Sequence, residues 1–333
     1  MENMNNWLKT AAAKKLPMPI LSFPGIQING IGVSDLVNSS KNQAECMKAV
    51  ASRWNTLASV SLMDLSVEAE AFGSPVRFFE DEVPATTDAI VTDMESLDKL
   101  KIPEVGAVRT GEYVKTISEA KKLITDRPVF AGAIGPFSLS GRLMDLTEIM
   151  VLCYEEPELV HGVLEKATQF LIAYNTALRN SGADGIVMAE PAAGLLSPSL
   201  ISEFSTPYVK RIISAVETEN CVFIYHNCGN NTIQLIDSIL DTGARAFSFG
   251  NIIDLSEMLP LIPKDLIVMG NIDPAGQFRN GTPESVREAT LDLLNKCAEY
   301  PNFILSSGCD IPPMSPLANI DAFFAAAKEF YKN

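Results

Sequence analysis

Between Tyr225 and Asn231 the chain reads YHNCGNN, and from Ser306 it reads SSGCDIPP. His226, Cys228 and Cys309 are side chains of the kind that bind zinc. In an extended segment side chains alternate between faces, so a His and a Cys two positions apart project to the same side and can share one ion. Two thiolates and a neutral imidazole fill three of zinc's four positions. An open fourth position is what separates a catalytic zinc site from a structural one. Taken alone, the His-x-Cys pair also has a plainer reading, because buried cysteines commonly act as small hydrophobes. What decides is whether Cys309 is brought to the same place.

The elements that would bring it there are legible as apolar runs. They are PILSF from Pro19, SVSLMDL from Ser59, PVFAGAIG from Pro128, DGIVMAE from Asp184, CVFIYHN from Cys221, ARAFSFG from Ala244, DLIVMG from Asp265 and NFILSS from Asn302. Runs apolar on both faces are what buried parallel strands look like. Helical patterns over 40–58, 118–125, 156–181, 199–217, 232–241, 282–300 and 317–331 alternate with them, and Gly182 and Gly243 fall where helix ends want a positive φ. Eight strand–helix units in one chain predict a TIM barrel, the (β/α)8 form of the α/β class. Neither a linker nor an internal repeat divides the sequence, so 1–333 reads as one domain, with a helical extension over 1–17. The proline-containing stretch 71–111 is an insertion suited to a lid or rim.

A barrel's active site lies at the carboxyl ends of its strands, so the polar residues ending each run form the candidate list. Asp64, Glu190 and Asp273 are the candidate catalytic carboxylates; Asn251, Asn271, Arg142 and Glu68 are the candidate substrate-binding groups. His226 and Cys228 end one of these runs and Cys309 follows another, which places the metal ligands at one mouth without selecting them for it. Plainer roles stand beside these. Asp64 and Asp273 suit helix or turn caps, Glu68 and Glu70 suit a solvated helix, and Arg142 suits a surface ion pair. Glu190 follows an apolar run and precedes Pro191, so its carboxylate needs a donor or a metal.

Composition narrows the partners. A net charge of −15 over 333 residues argues against nucleic acid and against an anionic membrane surface, since both select clustered Lys and Arg. Six cysteines without paired spacing suit a reducing compartment. No apolar stretch approaches the roughly 18 residues of a membrane span, and the amino-terminal residues lack an apolar signal core. A cytoplasmic protein without membrane insertion is expected, with monomer and oligomer both open.

YHNCGN at 225–230, GCDIPPMSPLANIDAFFAAAKEFY from Gly308, DLSVEAEAFG from Asp64, AGAIGPFSL from Ala131 and GADGIVMAEP from Gly182 resemble the uroporphyrinogen decarboxylase superfamily. Within it they are similar to the zinc-dependent methyltransferase branch that works with methylated corrinoids, and the resemblance covers nearly the whole chain. It implies that His226, Cys228 and Cys309 bind Zn2+. It also implies that a methyl group moves between a corrinoid (cobalamin) and a small substrate, either a thiol acceptor or a methylated donor such as a methoxy compound. His161 does not complete a corrinoid motif, because Leu159 and Leu164 stand where Asp and Gly would be, so the corrinoid is expected on a separate corrinoid-binding protein. Two departures bear on this. The segment LSFPGIQINGIG from Leu21 lacks the Arg residues with which decarboxylases hold porphyrinogen carboxylates, and SFGN at 248–251 lacks the Glu that some methyltransferases present to zinc. The fourth ligand is then Glu190, water or substrate. A metal-free decarboxylase and a non-catalytic binding barrel are the alternative readings.

Overall fold

In the computed structural model, residues 3–332 are described. Its strands are β1 (Ser59–Val60), β2 (Val76–Arg77), β3 (Ala85–Thr86), β4 (Val129–Ile134), β5 (Gly185–Ala189), β6 (Val222–Asn227), β7 (Ala246–Phe249), β8 (Ile267–Ile272) and β9 (Phe303–Ser307). Seven of them form one parallel sheet in the order β1-β4-β5-β6-β7-β8-β9, while β2 and β3 make a separate antiparallel hairpin. Seven of the eight apolar runs are therefore strands. The first run is not a ladder strand, and its prolines supply the reason. Pro17 and Pro19 have no N–H to give. The segment nonetheless occupies the eighth stave: Leu57 N donates to Pro17 O (2.8 Å), Met18 N donates to Leu305 O (2.9 Å), and Ser306 Oγ donates to Met18 O (2.7 Å). The ring closes through these bonds, giving a TIM-barrel-like α/β fold.

The period of two along each strand sorts its side chains between two cores. Val222 and Ile224 of β6, with Val187 and Ala189 of β5 and Ala246 of β7, belong to the inner core that fills the barrel. Phe223 and Tyr225, with Ile186 and Met188, belong to the outer core under the helices. Trp7, on the helix Met4–Thr10 of the amino-terminal extension, is fully buried in the inner core with its ring 5.4 Å from Phe130. The expected helices are present with shifted ends, and Gly182 and Gly243 have φ of 103° and 82° as their position requires. The 199–217 pattern splits into Pro198–Phe204 and Thr206–Val216 where Pro207 starts a second helix. Two helices, Pro136–Met144 and Leu146–Glu155, occupy a stretch the sequence reading left unassigned. The insertion holds the β2–β3 hairpin and the helix Met94–Lys99, and its 86–89 loop reaches the barrel mouth. No described helix is long and apolar enough to cross a membrane.

Candidate metal centre and cleft

His226 shares the inward parity of Val222 and Ile224, so β6 aims it into the barrel, and Cys228 follows two residues later. Cys309 arrives just beyond β9. Among the described residues these three are the one group of three or more His, Cys, Asp or Glu whose ligand atoms lie mutually close, all within 4.8 Å. His226 Nδ1 lies 3.0 Å from Ser248 Oγ, its register partner on β7, while Nε2 is buried without a hydrogen-bond partner. A ring whose Nδ1–H is held by Ser248 presents the Nε2 lone pair, which is the tautomer a metal ligand needs. A hydrogen bond from Cys309, working against burial, holds Cys228 below the ordinary thiol value, and the same bond with burial pushes Cys309 up to about 12. An imidazole nitrogen without a hydrogen-bond partner beside two thiols, one of them held below the ordinary thiol value, is a donor set that fits zinc. Gly250 lets β7 pass this close, since a Cβ there would lie 2.3 Å from Cys228 Cβ. No side chain at 250 can therefore serve as a ligand.

Cys228 and Gly229 line a cleft of about 410 Å3 together with Ser138, Arg142, Asp145, Ala192 and the 86–89 loop. Arg142 corrects the surface ion-pair expectation. Among the described residues it makes no ion pair, and its one hydrogen bond is 3.4 Å to Thr86 Oγ1. Burial holds its pKa below the usual arginine value.

On the β1 side of the mouth Asp64 and Arg109 are saturated. Asp64 Oδ2 accepts from Arg109 Nη1 and from Tyr113 Oη (2.8 Å), and Oδ1 accepts from Ser66 Oγ (2.6 Å) and N (3.1 Å). Arg109 also donates to Glu70 Oε2 (2.6 Å) and lies over the Phe78 ring. Asp64 therefore anchors the insertion, and no face of it is free for catalysis. Glu70 is drawn into this network, and Glu68 corrects the solvated-helix reading: it is buried, Oε1 accepts from Ile134 N (3.0 Å), Oε2 has no partner, and burial raises its pKa to about 7.

Glu190 is corrected by parity. It continues Ile186 and Met188, which face the outer core, and its oxygens accept from Phe137 N (3.0 Å) and Ser138 N (2.6 Å) at the start of Pro136–Met144. It caps a helix from a neighbouring strand and is outside the metal group. Asp273 caps Pro274–Arg279 through Ala275 N and Gly276 N (both 2.9 Å). Asn271 Nδ2 donates to Gly250 O (2.9 Å) and Ile253 O (2.6 Å), bracing the turn after β7. Asn251, Asn271 and Asp273 line a different recess, beside the helix Pro283–Cys297, and not the cleft at Cys228.

The uroporphyrinogen decarboxylase (URO-D) family pattern matches residues 18–330. The chain belongs to that family. Among its relatives, the chain is 31% identical over 274 residues to the methylcobamide:CoM methyltransferase MtbA of Methanosarcina acetivorans, covering 80% of this chain and 78% of that protein. It is 27% identical over 272 residues to a methylated-thiol–coenzyme M methyltransferase of Methanosarcina mazei, covering 80% and 71%. A solved methyltransferase from Methanosarcina mazei superposes with a TM-score of 0.86 at 22% identity, covering 99% of this chain and all of that one, which shows the shared fold.

Against this family background, Ser248, Arg109 and Tyr113 are the site residues that sequence reading missed. Ser248 had a usable signal, because it lies on β7 at inward parity with Ala246 beside the strand that carries His226. Arg109 had none, since it reaches Asp64 from 45 residues away through the insertion.

Proposed function

We propose that this chain is a zinc-dependent methyltransferase that moves a methyl group between a corrinoid on a separate protein and a small substrate in the cleft at Cys228. The observation that carries it is the convergence of His226, Cys228 and Cys309, of which Cys228 lines that cleft, with the imidazole Nε2 making no hydrogen bond. Similarity to two proteins named as methyltransferases supports the reaction class.

Each residue has a definite task. Ser248 orients the imidazole through its contact with Nδ1 and can hold the Nδ1–H tautomer that leaves Nε2 for a metal. Cys228 presents its sulfur to the cleft, and Cys309 holds the opposite side from beyond β9. The protein ligands leave one position open, so substrate can reach the metal without displacing a side chain. When bound, zinc would lower the pKa of a substrate thiol or act as a Lewis acid on a methylated heteroatom. A corrinoid on the partner would supply the methyl-carrying chemistry in either direction, with the substrate held in the cleft at Cys228. Residues 86–89 bring the insertion to the cleft wall, where it borders the substrate. The decarboxylase reading has less support, because the segment 21–32 carries no Lys or Arg.

Metal analysis tests the proposal. The purified protein should hold about one zinc per chain, and Cys309→Ala should lose it. A metal-free parent, or undiminished zinc in the variant, would overturn the assignment.

A further inference from the structure

Asn227 stands between two of the three candidate ligands, His226 and Cys228, and is fully buried. It shares the outward parity of Phe223 and Tyr225, so it does not face the metal position itself. The β5–β6 ladder ends beside it. Glu190 N donates to His226 O (2.9 Å), and the next rung of a parallel ladder would run from the Cys228 amide to Glu190 O. That rung is missing. Among the described residues the Cys228 backbone makes no hydrogen bond to another backbone group, and Glu190 O accepts from Asn227 Nδ2 (2.8 Å) instead. The same nitrogen lies 3.2 Å from Tyr225 Oη. At the other end of the amide, Oδ1 accepts from Gly229 N (2.9 Å) and lies 2.9 Å from Thr232 Oγ1. One planar group therefore spans the turn that carries Cys228.

The turn has no slack around that group. A Cβ at Gly194 would lie 2.1 Å from Asn227 Oδ1, and one at Gly229 would lie 2.4 Å from the Gly194 carbonyl carbon. A displaced Asn227 side chain therefore moves Gly229, and with it the sulfur one residue before. We propose that Asn227 is a positioning residue of the metal centre: its amide replaces the missing rung and fixes the Cys228 sulfur against His226 and Cys309. The inference rests on reading those three residues as metal ligands, and it adds the residue that holds the ligand lying beyond the end of β6. Asparagine suits the task because it offers a donor to Glu190 O and an acceptor to Gly229 N on one rigid group. Aspartate has the same shape, but it would set an oxygen against Glu190 O. Ligands must be held to about half an ångström for a site to bind well.

Cobalt(II) is the probe, because its visible bands and its thiolate charge-transfer band report the number and arrangement of sulfur ligands. Asn227→Asp and Asn227→Ala should bind cobalt about tenfold or more weakly than the parent, with a diminished thiolate band. Asn319→Ala is the control: Asn319 is a buried asparagine that braces a turn through Phe278 O and Gly281 O but adjoins no ligand. It should lose stability and keep the parent spectrum. Should Asn227→Ala not fold, Asn227→Asp, which keeps the shape, carries the test. Parent-like affinity and spectrum in Asn227→Asp, or an equal loss in Asn319→Ala, would overturn the proposal. A second readout needs no metal. Phenylarsine oxide bridges two thiols whose sulfurs reach one arsenic, forming two As–S bonds and releasing water. Peptide masses should place the bridge at Cys228 and Cys309 in the metal-free parent, and Asn227→Asp should form it more slowly. A parent that binds no cobalt but is bridged in this Asn227-dependent way removes the metal reading and keeps the positioning role. A parent that binds cobalt, with spectrum and bridging unchanged in Asn227→Asp, removes the positioning role alone.

Discussion

The two sides of the barrel mouth are built from buried polar groups, yet they are finished differently. On the β1 side Asp64 has every oxygen engaged, and its partner Arg109 bonds Asp64, Glu70 and Ser66 at once. On the β6 and β9 side His226 Nε2 and the two thiols have only one another, and the neighbouring cleft holds an arginine that makes no direct ion pair among the described residues, with Asp64 and Glu68 acting on it only at longer range. Desolvation penalises both sides, so the difference is not one of depth. Saturated groups hold the insertion against the barrel; unsaturated ones wait for something the chain does not contain. Unmet bonding capacity, more than residue type, marks where the chemistry sits.

That contrast breaks first at Cys228. Cys228→Ala should abolish zinc binding and reduce methyl transfer on the order of a thousandfold, the loss of several kcal/mol of transition-state stabilisation. Its thermal midpoint should stay close to that of the zinc-free parent. Metal analysis, turnover with a corrinoid protein and unfolding curves check the three parts, and a large loss of stability in the zinc-free state would erase the distinction between the sides. Arg109→Ala should do the reverse. It leaves Asp64 buried without its ion partner, which costs about 3–5 kcal/mol, while zinc content is kept. Urea unfolding measures the loss, and a variant as stable as the parent would show that the closed side is not structural.

Much of this arrangement is written in the sequence, and the omissions have physical causes. Seven apolar runs are strands because runs apolar on both faces have no other stable burial, and their ends bring His226, Cys228 and Cys309 together. Pro19 lies in an apolar run that reads as a strand, but a missing N–H leaves an extended stave with fewer bonds. Glu190 looked like a ligand because a carboxylate after a buried run needs donors. Those donors are the amides of Pro136–Met144, a helix with Gly141 near its middle and Ser138 and Ser140 where stronger helix formers would announce it. The Asp64 network is a long-range pairing through the insertion, and one-dimensional spacing carries no record of it.

Ser248 sharpens the open side more finely. Its hydroxyl fixes the imidazole without touching the metal position, so Ser248→Ala should weaken zinc binding about 10- to 100-fold and leave the fold intact. Competition with a zinc-binding dye gives the affinity. Ser248→Thr, which keeps the hydroxyl, should recover most of it. Equal affinity in all three proteins would mean that the tautomer is set elsewhere.

The smallest expected effect lies between the two sides, at Glu68. Its pKa rises from 4.5 to about 7, chiefly through burial, with the Ile134 amide opposing the shift. A carboxyl raised in the folded state binds its proton more tightly there than when unfolded. Its contribution is therefore fully present below about pH 4.5 and is lost as pH rises through 7. Glu190 is shifted the same way, also to about 7. Glu112 and Glu165 are lowered to about 2, Glu112 first by Lys115 and Glu165 first by Arg211, so their stabilisation is lost only as pH falls from about 4.5 towards 2. Asp310 is raised as well, first by burial. Between pH 4.5 and 7.5 these raised carboxyls should make stability decline, and Glu68→Gln, which cannot ionise, should make the decline shallower by the Glu68 share. Urea midpoints at half-unit steps of pH measure the slope, and an unchanged slope would show that Glu68 is solvated and belongs to neither side of the mouth.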